Sequence, residues 1–512
     1  MAKTRACLLI GVEVIVVEIE TFIGNGFSGL NILGLNSEAS RNMRERVRSA
    51  LESIGVLIPA KRVVVNITPS EKIKESRTPL SQLDFAVAAS ILFSLYADKL
   101  KINYNLNEYF AGELTLLGEI KDLENILIYK ALLLNKNEQL RINLSSKNKK
   151  IGINKNFISY FNCLQDWWEF VSGKKQLEYN LSNFKPMLSE SIDIKKNSDN
   201  SNFFQEIKNI IINLSTNPKA LVGILVSAMG KHHILFAGEP GIGKTYTLQK
   251  IEKLLPPLSA IEEFEIQMIY SKDNTLLRPF RNPHHSVSSA ALIGGSSLKP
   301  GEVSLAHHGI LFLDELSEFS AQSLESLREP LDSKDVCLSK ANGHIRYPAN
   351  FLLCATTNPC SCGYLFSTLK ACRCHPKETR KYLQKLSGPL LDRFCLQIWL
   401  EPSNSRKVPD CFEKEIISFN NLNKLDKFVE NYGRKILQEN CHLKDNFYNH
   451  IKEILNSNIT FKNLSLRGQE KVRALAYTFH LVFHEIEVNS KFIETILNYR
   501  ILEKMFLQKN LF

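Results

Sequence analysis

The pattern of hydrophobic and polar positions changes character along the chain. Over 8–17 an apolar run is broken by Glu13, and Glu18 and Glu20 follow in alternation with Ile15 and neighbouring valines, the two-residue period of a β-strand. A β-branched run at 63–67 predicts a further strand, while 37–54 and 83–95 carry apolar residues at helical spacing. From about residue 6 to 179 this mixture reads as an α+β domain. Residues 181–202 are rich in Ser, Asn, Asp and Lys, contain Pro186 and sustain no apolar period, so they read as a linker. Helices are expected over 203–214 and 219–229, followed by an apolar strand at 234–237 that runs straight into glycines, the opening of an α/β core. Beyond Glu401 the strands fade and helical periodicity with many Lys and Asn continues to Phe512. The expected layout is an amino-terminal domain (1–180), a linker (181–202), an α/β core (203–402) and a helical domain (403–512).

Composition agrees with a globular, multidomain chain. At 512 residues it exceeds one ordinary core, and 44% hydrophobic, 23% charged and 9% aromatic residues exclude disorder, collagen-like repeats and a coiled-coil rod. Lys3 and Arg5 ahead of the first apolar run superficially resemble a signal peptide, but the acids interrupt the run and no small-residue cleavage site follows. No segment approaches the roughly 18 apolar residues needed to span a bilayer. Eleven cysteines without an export signal point to a reducing compartment, so a cytoplasmic location with no membrane partner is expected. The net charge of +11 suits a nucleic acid and equally a Lys-rich solvated surface, and does not choose between them.

The chemistry is carried by a glycine-rich loop. Gly238-Glu239-Pro240-Gly241-Ile242-Gly243-Lys244-Thr245 fits G-x-x-x-x-G-K-[ST] between the strand and a helix expected over 246–255, which begins at Tyr246. Glycines let backbone N–H groups turn onto phosphates, Lys244 reaches the β/γ oxygens of ATP, and Thr245 is a ligand for Mg²⁺. A second apolar strand at 310–315 ends in Asp314-Glu315: Asp314 holds the metal, and Glu315 orients or deprotonates the attacking water. A third at 351–357 ends at Asn358, a polar residue placed for the γ-phosphate or its water. Downstream, Ser387-Gly388-Pro389-Leu390-Leu391-Asp392-Arg393-Phe394 offers Arg393 as an arginine finger for a neighbouring subunit, with a surface ion pair as the plain alternative. Loop, Asp-Glu, Asn and Arg in that order resemble the elements of an AAA+ ring ATPase.

Two further features stand outside the loop. Cys360-x-Cys362 and Cys372-x-Cys374, nine residues apart, offer four thiolates for a structural Zn²⁺ knuckle, with free reduced thiols as the alternative. Residues 336–347 read as a hairpin with an Asn-Gly turn from which Lys340, His344 and Arg346 project toward DNA phosphates, or serve as a solvated charged edge. Seventy residues separate Lys244 from Asp314, so an insertion at 278–304 lies between them. The paired histidines His284, His285, His307 and His308 do not share a helical face and are read as structural or pore-lining.

Four blocks resemble the ComM/YifB group of magnesium-chelatase-like AAA+ ATPases. They are Arg278-Pro279-Phe280-Arg281-Asn282-Pro283-His284-His285-Ser286, the segment from Pro300 to Gly309, Asn358-Pro359-Cys360-Ser361-Cys362-Gly363-Tyr364, and the segment from Ser387 to Phe394. The resemblance implies an amino domain of the ribosomal-S5-domain-2-like fold shared with Lon proteases, a central AAA+ module and a carboxyl helical lid. It also implies a hexameric DNA helicase promoting branch migration in natural transformation. Leu464-Ser465-Leu466-Arg467 resembles the family's lid segment and makes Arg467 the sensor-2 candidate for the γ-phosphate; Tyr499-Arg500 matches the end motif and carries no assigned chemistry. Departures are Ser215-Thr216-Asn217-Pro218 where the family has a Gly-Gln motif, and Glu239 where it commonly has proline. Lon-type proteolysis is not expected, because Leu83 or Asp84 stands near the nucleophile's place; Ser81 with Lys72 or Lys74 is the remaining Ser–Lys pairing. Two rival readings share the core: the motor subunit of a metal-chelatase complex, and an ATP-switched scaffold.

Overall fold

A computed structural model describes residues 2–73, 79–100, 108–122, 141–146, 158–174, 196–270, 277–295, 298–340, 343–367, 370–401, 409–437, 443–500 and 502. They fall into two compact units: Met1–Lys195 with Glu263–Thr275 and Cys337–Tyr347, and Lys196–Glu262 with Leu276–Val336 and Pro348–Phe512. The linker expected over 181–202 lies outside the described residues as far as 195; from Lys196 the chain is already helical, to Leu214.

In the first unit, β1 (Ala2–Ile10) and β2 (Glu13–Gly24) form an antiparallel pair in which Ile10 faces Glu13. The tight turn requires Gly11, whose φ is +62°. Around this pair lie β3 (Gly29–Leu33), β4 (Arg62–Thr68), β5 (Glu108–Phe110), β6 (Arg141–Ser145) and β7 (Ile158–Phe161), in the order β3-β4-β2-β1-β5-β6-β7. Asn36 caps the helix Ser37–Ser53 by accepting from the Ala39 N–H at 2.8 Å. That helix and Asp84–Leu100 contribute Met43, Val47, Phe85 and Ala89 to a core shared with Val17, Ile19 and Val65 of the sheet. Trp167 meets Phe85 and Phe110 edge to face, with ring centroids 5.5 Å apart in each case. Asp84 is wholly buried, and Arg46 grips its carboxylate through two hydrogen bonds of 2.6 and 3.0 Å. Ser81 donates to Glu113 at 2.7 Å, and Lys121 pairs with the same carboxylate; Lys72 lies in the short helix Ser70–Ile73, and Lys74 is outside the described residues.

The second unit is built on β8 (Ile234–Gly238), β9 (Phe280–Arg281), β10 (Ile310–Leu313), β13 (Leu352–Thr357) and β14 (Leu396–Leu400). They are parallel and lie in the order β14-β8-β13-β10-β9. The inner strands are apolar runs, apart from Thr356 and Thr357 at the end of β13, because both faces of a parallel sheet are covered. Asn217 caps the helix Pro218–Gly230, accepting from the Ala220 N–H at 3.3 Å with Pro218 at the first helical position, so the residues standing in place of a Gly-Gln motif start this helix. Its packing is close: a Cβ at Gly223 would lie 2.4 Å from Ile398 Cδ1.

The carboxyl-terminal helices, expected as a separate domain, share this core: Tyr432, Leu475, Phe479 and Tyr499 belong to the same buried cluster as Leu225, Phe236 and Phe312. The expected hairpin forms as β11 (Asp335–Lys340) and β12 (Gly343–Pro348), and its turn at 341–342 lies outside the described residues. Residues 337–347 belong to the first unit rather than to the 203–402 core. Gly11 approaches this strand so closely that a Cβ there would lie 2.7 Å from Ile345 Cγ2. Among the described residues, no helix is long and apolar enough to cross a membrane.

Candidate nucleotide site

The carboxyl ends of β8, β10 and β13 meet on one edge of the parallel sheet, where open α/β sheets bind ligands. β8 runs into the phosphate loop, and the loop into the helix Lys244–Gln249, which continues as a 3₁₀ turn over Lys250–Leu254. Gly241 and Gly243 have φ of +81° and +82°, values that only glycine adopts without strain. Lys244 is 8% exposed, and its ammonium donates to the carbonyl oxygens of Gly238 and Glu239 at 2.8 Å each and to Asn358 Oδ1 at 3.0 Å. Burial pushes its pKa down to about 8, against the opposing pull of Asp314, Glu315 and Glu239. Its three donors are thus gathered inside the loop, where phosphate oxygens are the natural replacement acceptors. Glu239 is buried and contributes its carbonyl, Pro240 is exposed on the loop, and Ile242 is half-buried. Tyr246 points outward at 53% exposure with the Lys250 ammonium 4.5 Å from its ring centre.

Asp314 follows β10 directly and accepts from Thr245 Oγ1 at 3.0 Å. A hydroxyl and a carboxylate brought together beside a lysine suit Mg²⁺, a hard cation that takes oxygen ligands. Asp314 also accepts from Thr356 Oγ1 on the neighbouring strand, a contact the sequence reading missed. The same Thr356 hydroxyl accepts from the Glu315 backbone N–H at 3.0 Å. Glu315 is exposed and sits in the left-handed region, φ 55° and ψ 54°, a conformation that costs a non-glycine residue about 1–2 kcal/mol. Thr356 therefore fixes both acids at once. The only sequence signal for it is a polar pair ending an otherwise apolar strand beside the Asp-Glu strand. Asn358, placed from sequence for the γ-phosphate or its water, lies beyond that strand and accepts from the Lys244 ammonium through its Oδ1.

Arg393 and Arg467 are brought together elsewhere. Arg393 donates to Pro389 O at 2.6 Å, to Arg328 O at 3.2 Å and to the Asp332 carboxylate; Arg467 lies 3.4 Å from the same Asp332 oxygen. Asp332 carries no sequence signal. Arg500, assigned nothing from sequence, is a buttress: its guanidinium donates to Phe394 O at 3.2 Å and Cys395 O at 3.3 Å, and contacts Asp392 at 3.5 Å. The preceding Tyr499 hydroxyl donates to Asp410 at 3.1 Å, so the end motif ties the last helices to the arginine turn.

The four thiols of Cys360, Cys362, Cys372 and Cys374 cluster within 4.8 Å of one another. Cys360 Sγ lies 3.4 Å from Cys362 Sγ and 3.7 Å from Cys372 Sγ, and the latter two are 3.6 Å apart. Burial opposes ionisation of Cys362, but backbone N–H groups of Arg373 and Tyr364 favour its thiolate and bring the pKa down to about 6. The donor set can hold a metal ion.

On the hairpin, Ile345 and Tyr347 are buried while His344 and Arg346 are exposed, so both polar residues share the outward face; His344 Nδ1 bonds Ser339 Oγ at 2.7 Å. The Lys340 side chain lies outside the described residues. The long motif blocks do structural work. Arg281 grips Glu302 through hydrogen bonds of 2.6 and 2.8 Å, Arg278 donates to the carbonyls of Pro256 and His308, and His307 Nδ1 accepts from the Asn350 N–H at 3.0 Å.

The chain is similar to known proteins over most of its length. Residues 211–408 match the family model described as magnesium chelatase, subunit ChlI, and residues 19–148 match that of subunit ChlI of Mg-chelatase. The phosphate loop, the Asp-Glu strand and these matches define a magnesium-chelatase-like AAA+ ATPase. YifB of Salmonella typhimurium is 30% identical over 528 residues, covering 99% of this chain and 97% of its own. Competence protein ComM of Haemophilus influenzae is 33% identical over 396 residues, covering 76% and 74%, and YifB of Escherichia coli is 33% identical over 407, covering 78% and 75%. The chain belongs to the ComM/YifB family.

Proposed function

We propose that this protein is a hexameric ATP-driven motor acting on branched or single-stranded DNA, a helicase of the ComM type that promotes branch migration of recombination intermediates during natural transformation. In this reading the first unit has the ribosomal-S5-domain-2-like fold, the parallel sheet is the AAA+ module, and the last helices form its lid. The observation that carries the ATPase part is the closed constellation of Lys244, Asn358, Thr245, Asp314 and Thr356, with Glu315 exposed beside it. Lys244 holds the β/γ-phosphate oxygens in place of its present carbonyl partners, and Thr245 and Asp314 are the ligands for Mg²⁺, which neutralises phosphate charge when bound. Glu315 accepts the proton of the attacking water, and Asn358 orients that water against the γ-phosphate. Arg393 serves the site of the adjoining subunit in a ring, and Arg467 is the second γ-phosphate sensor.

The DNA part is supported by the shared outward face of His344 and Arg346, whose polar groups suit phosphate contact without base reading, with Lys340 on the same hairpin. The name of the Haemophilus relative, a competence protein, points the same way. The cysteine knuckle holds a structural Zn²⁺: a tetrahedral four-thiolate site with Zn–S near 2.3 Å places sulfurs about 3.8 Å apart, and three of the pairs already lie at 3.4–3.7 Å. The test is ATPase turnover with and without forked or four-way DNA, read together with strand displacement. Stimulation with displaced strand is expected; DNA-independent turnover refutes the helicase reading and favours a chelatase-type motor, and nucleotide binding without turnover favours an ATP-switched scaffold.

A further inference from the structure

The cysteine knuckle lies against the phosphate loop, and the contact is intimate. Gly363, one residue beyond Cys362, packs on Pro240 so closely that a Cβ at Gly363 would fall 2.5 Å from both Pro240 Cγ and Cδ. Its φ of +84° is fixed within the knuckle, where the Gly363 N–H donates to Cys360 O at 2.9 Å. On the other side, Asn358, two residues before Cys360, accepts from the Lys244 ammonium at 3.0 Å. Cys360 itself is wholly buried. A third attachment is Phe366, whose ring meets Trp399 edge to face at 5.4 Å; Trp399 on β14 is the register partner of Ala237 on β8, just ahead of the loop. Gly363, Asn358 and Phe366 therefore touch, in turn, the phosphate loop, its lysine and a strand bordering it.

We infer that the four-thiolate knuckle is a metal-dependent clamp on the phosphate loop: metal on Cys360, Cys362, Cys372 and Cys374 fixes Gly363 against Pro240 and Asn358 against Lys244, and so sets nucleotide affinity. The inference rests on the reading of the knuckle as a metal site. Metal bound to all four thiols would tie Cys360 and Cys362 to Cys372 and Cys374, adding a cross-link to the few hydrogen bonds that otherwise hold 358–363 in place. Gly363 and the cysteines act through the loop and are positioning residues; they do not touch nucleotide.

The full-length protein, purified under reducing conditions without chelator, is assayed for metal by elemental analysis and for affinity by fluorescence titration with mant-ATP and Mg²⁺. Treatment with a zinc-selective chelator that leaves Mg²⁺ in solution is expected to weaken mant-ATP binding at least about tenfold, with recovery on adding Zn²⁺, a size ordinary for directly contacting groups. Because stripping can also unfold the region, a double-mutant cycle keeps the clamp testable. Gly363→Ala retains all four thiols and the metal, and is expected to cost about tenfold in affinity. In a Pro240→Ala background, which lacks the ring atoms it strikes but leaves the strain of an alanine at φ +84° unchanged, the same change is expected to cost at least about threefold less than in the wild-type background. Metal-free purified protein overturns the metal reading and the clamp with it. Stoichiometric metal with unchanged affinity on stripping, or an equal Gly363→Ala penalty in both backgrounds, overturns the clamp and leaves the metal reading standing.

Discussion

Thr356→Val tests how the second acidic strand is aimed. The substitution keeps shape and β-branching but removes the hydroxyl that donates to Asp314 and accepts from the Glu315 N–H at 3.0 Å, at a residue only 1% exposed. A hydrogen bond to a charged group contributes about 1.5–3 kcal/mol and a neutral one about 0.5–1.5 kcal/mol, so roughly 2–4.5 kcal/mol of local interaction is lost. The neutral bond holds Glu315 in its left-handed backbone conformation, which reverts toward an ordinary region once released. If about 1.4–2.8 kcal/mol of the loss is felt in the transition state, kcat falls about 10- to 100-fold. Mant-ATP affinity stays within about threefold, because the Lys244 contacts are untouched and every 1.4 kcal/mol is tenfold. The assay is steady-state ATP hydrolysis across a Mg²⁺ titration, with Thr356→Ser, which retains the hydroxyl, as control. Wild-type kcat in the valine variant would refute the assignment of Thr356 as the residue that places Glu315 and Asp314.

Three further outcomes follow from the same geometry. With Lys244 pushed down to about 8, nucleotide affinity is expected to be flat below that pH and to weaken by about tenfold per pH unit above it, as the free protein loses the proton that phosphate binding requires. The folding contribution has the opposite sign: between about pH 8 and 10.5 the unfolded chain holds the proton and the folded one does not, so stability rises with pH there. A pH-independent mant-ATP Kd from 7 to 10 contradicts the assignment. On the proposed ring, in which Arg393 serves the adjoining subunit's site, Arg393→Ala and Lys244→Ala proteins are each expected to be inactive alone and to recover ATPase when mixed; mixtures that stay inactive remove the arginine-finger role. Finally, Gly309→Ala is expected to destabilise the second unit by about 3 kcal/mol or more, because its Cβ would stand 2.0 Å from the Pro279 carbonyl oxygen that receives the Ile310 N–H. Thermal unfolding checks this, and an unchanged Tm contradicts it.

The local signals in the chain carried a large share of this molecule. Apolar runs of strand length placed β8, β10 and β13 within a residue or two, since a strand covered on both faces is largely apolar. The phosphate loop, Thr245, Asp314 and Asn358 stand out in the sequence because phosphate and metal chemistry demands particular residue types at the ends of such strands, and the fold brings them together. The cysteine spacing likewise announced a cluster that the fold closes to 3.4–3.7 Å.

Tertiary structure alone decided which residues serve those groups. Thr356, Asp332 and Arg500 are ordinary by residue type, and their roles come from strand register or chain reversal that brings distant positions into contact. The same holds for Gly363 on Pro240, more than a hundred residues apart in the chain. Unit boundaries were also beyond local reading: the hairpin joins the first unit, and the last helices share the core of the parallel sheet. Periodicity tells a segment that it has an apolar face to bury; it does not say against what, because that is settled by the packing of elements far apart in sequence.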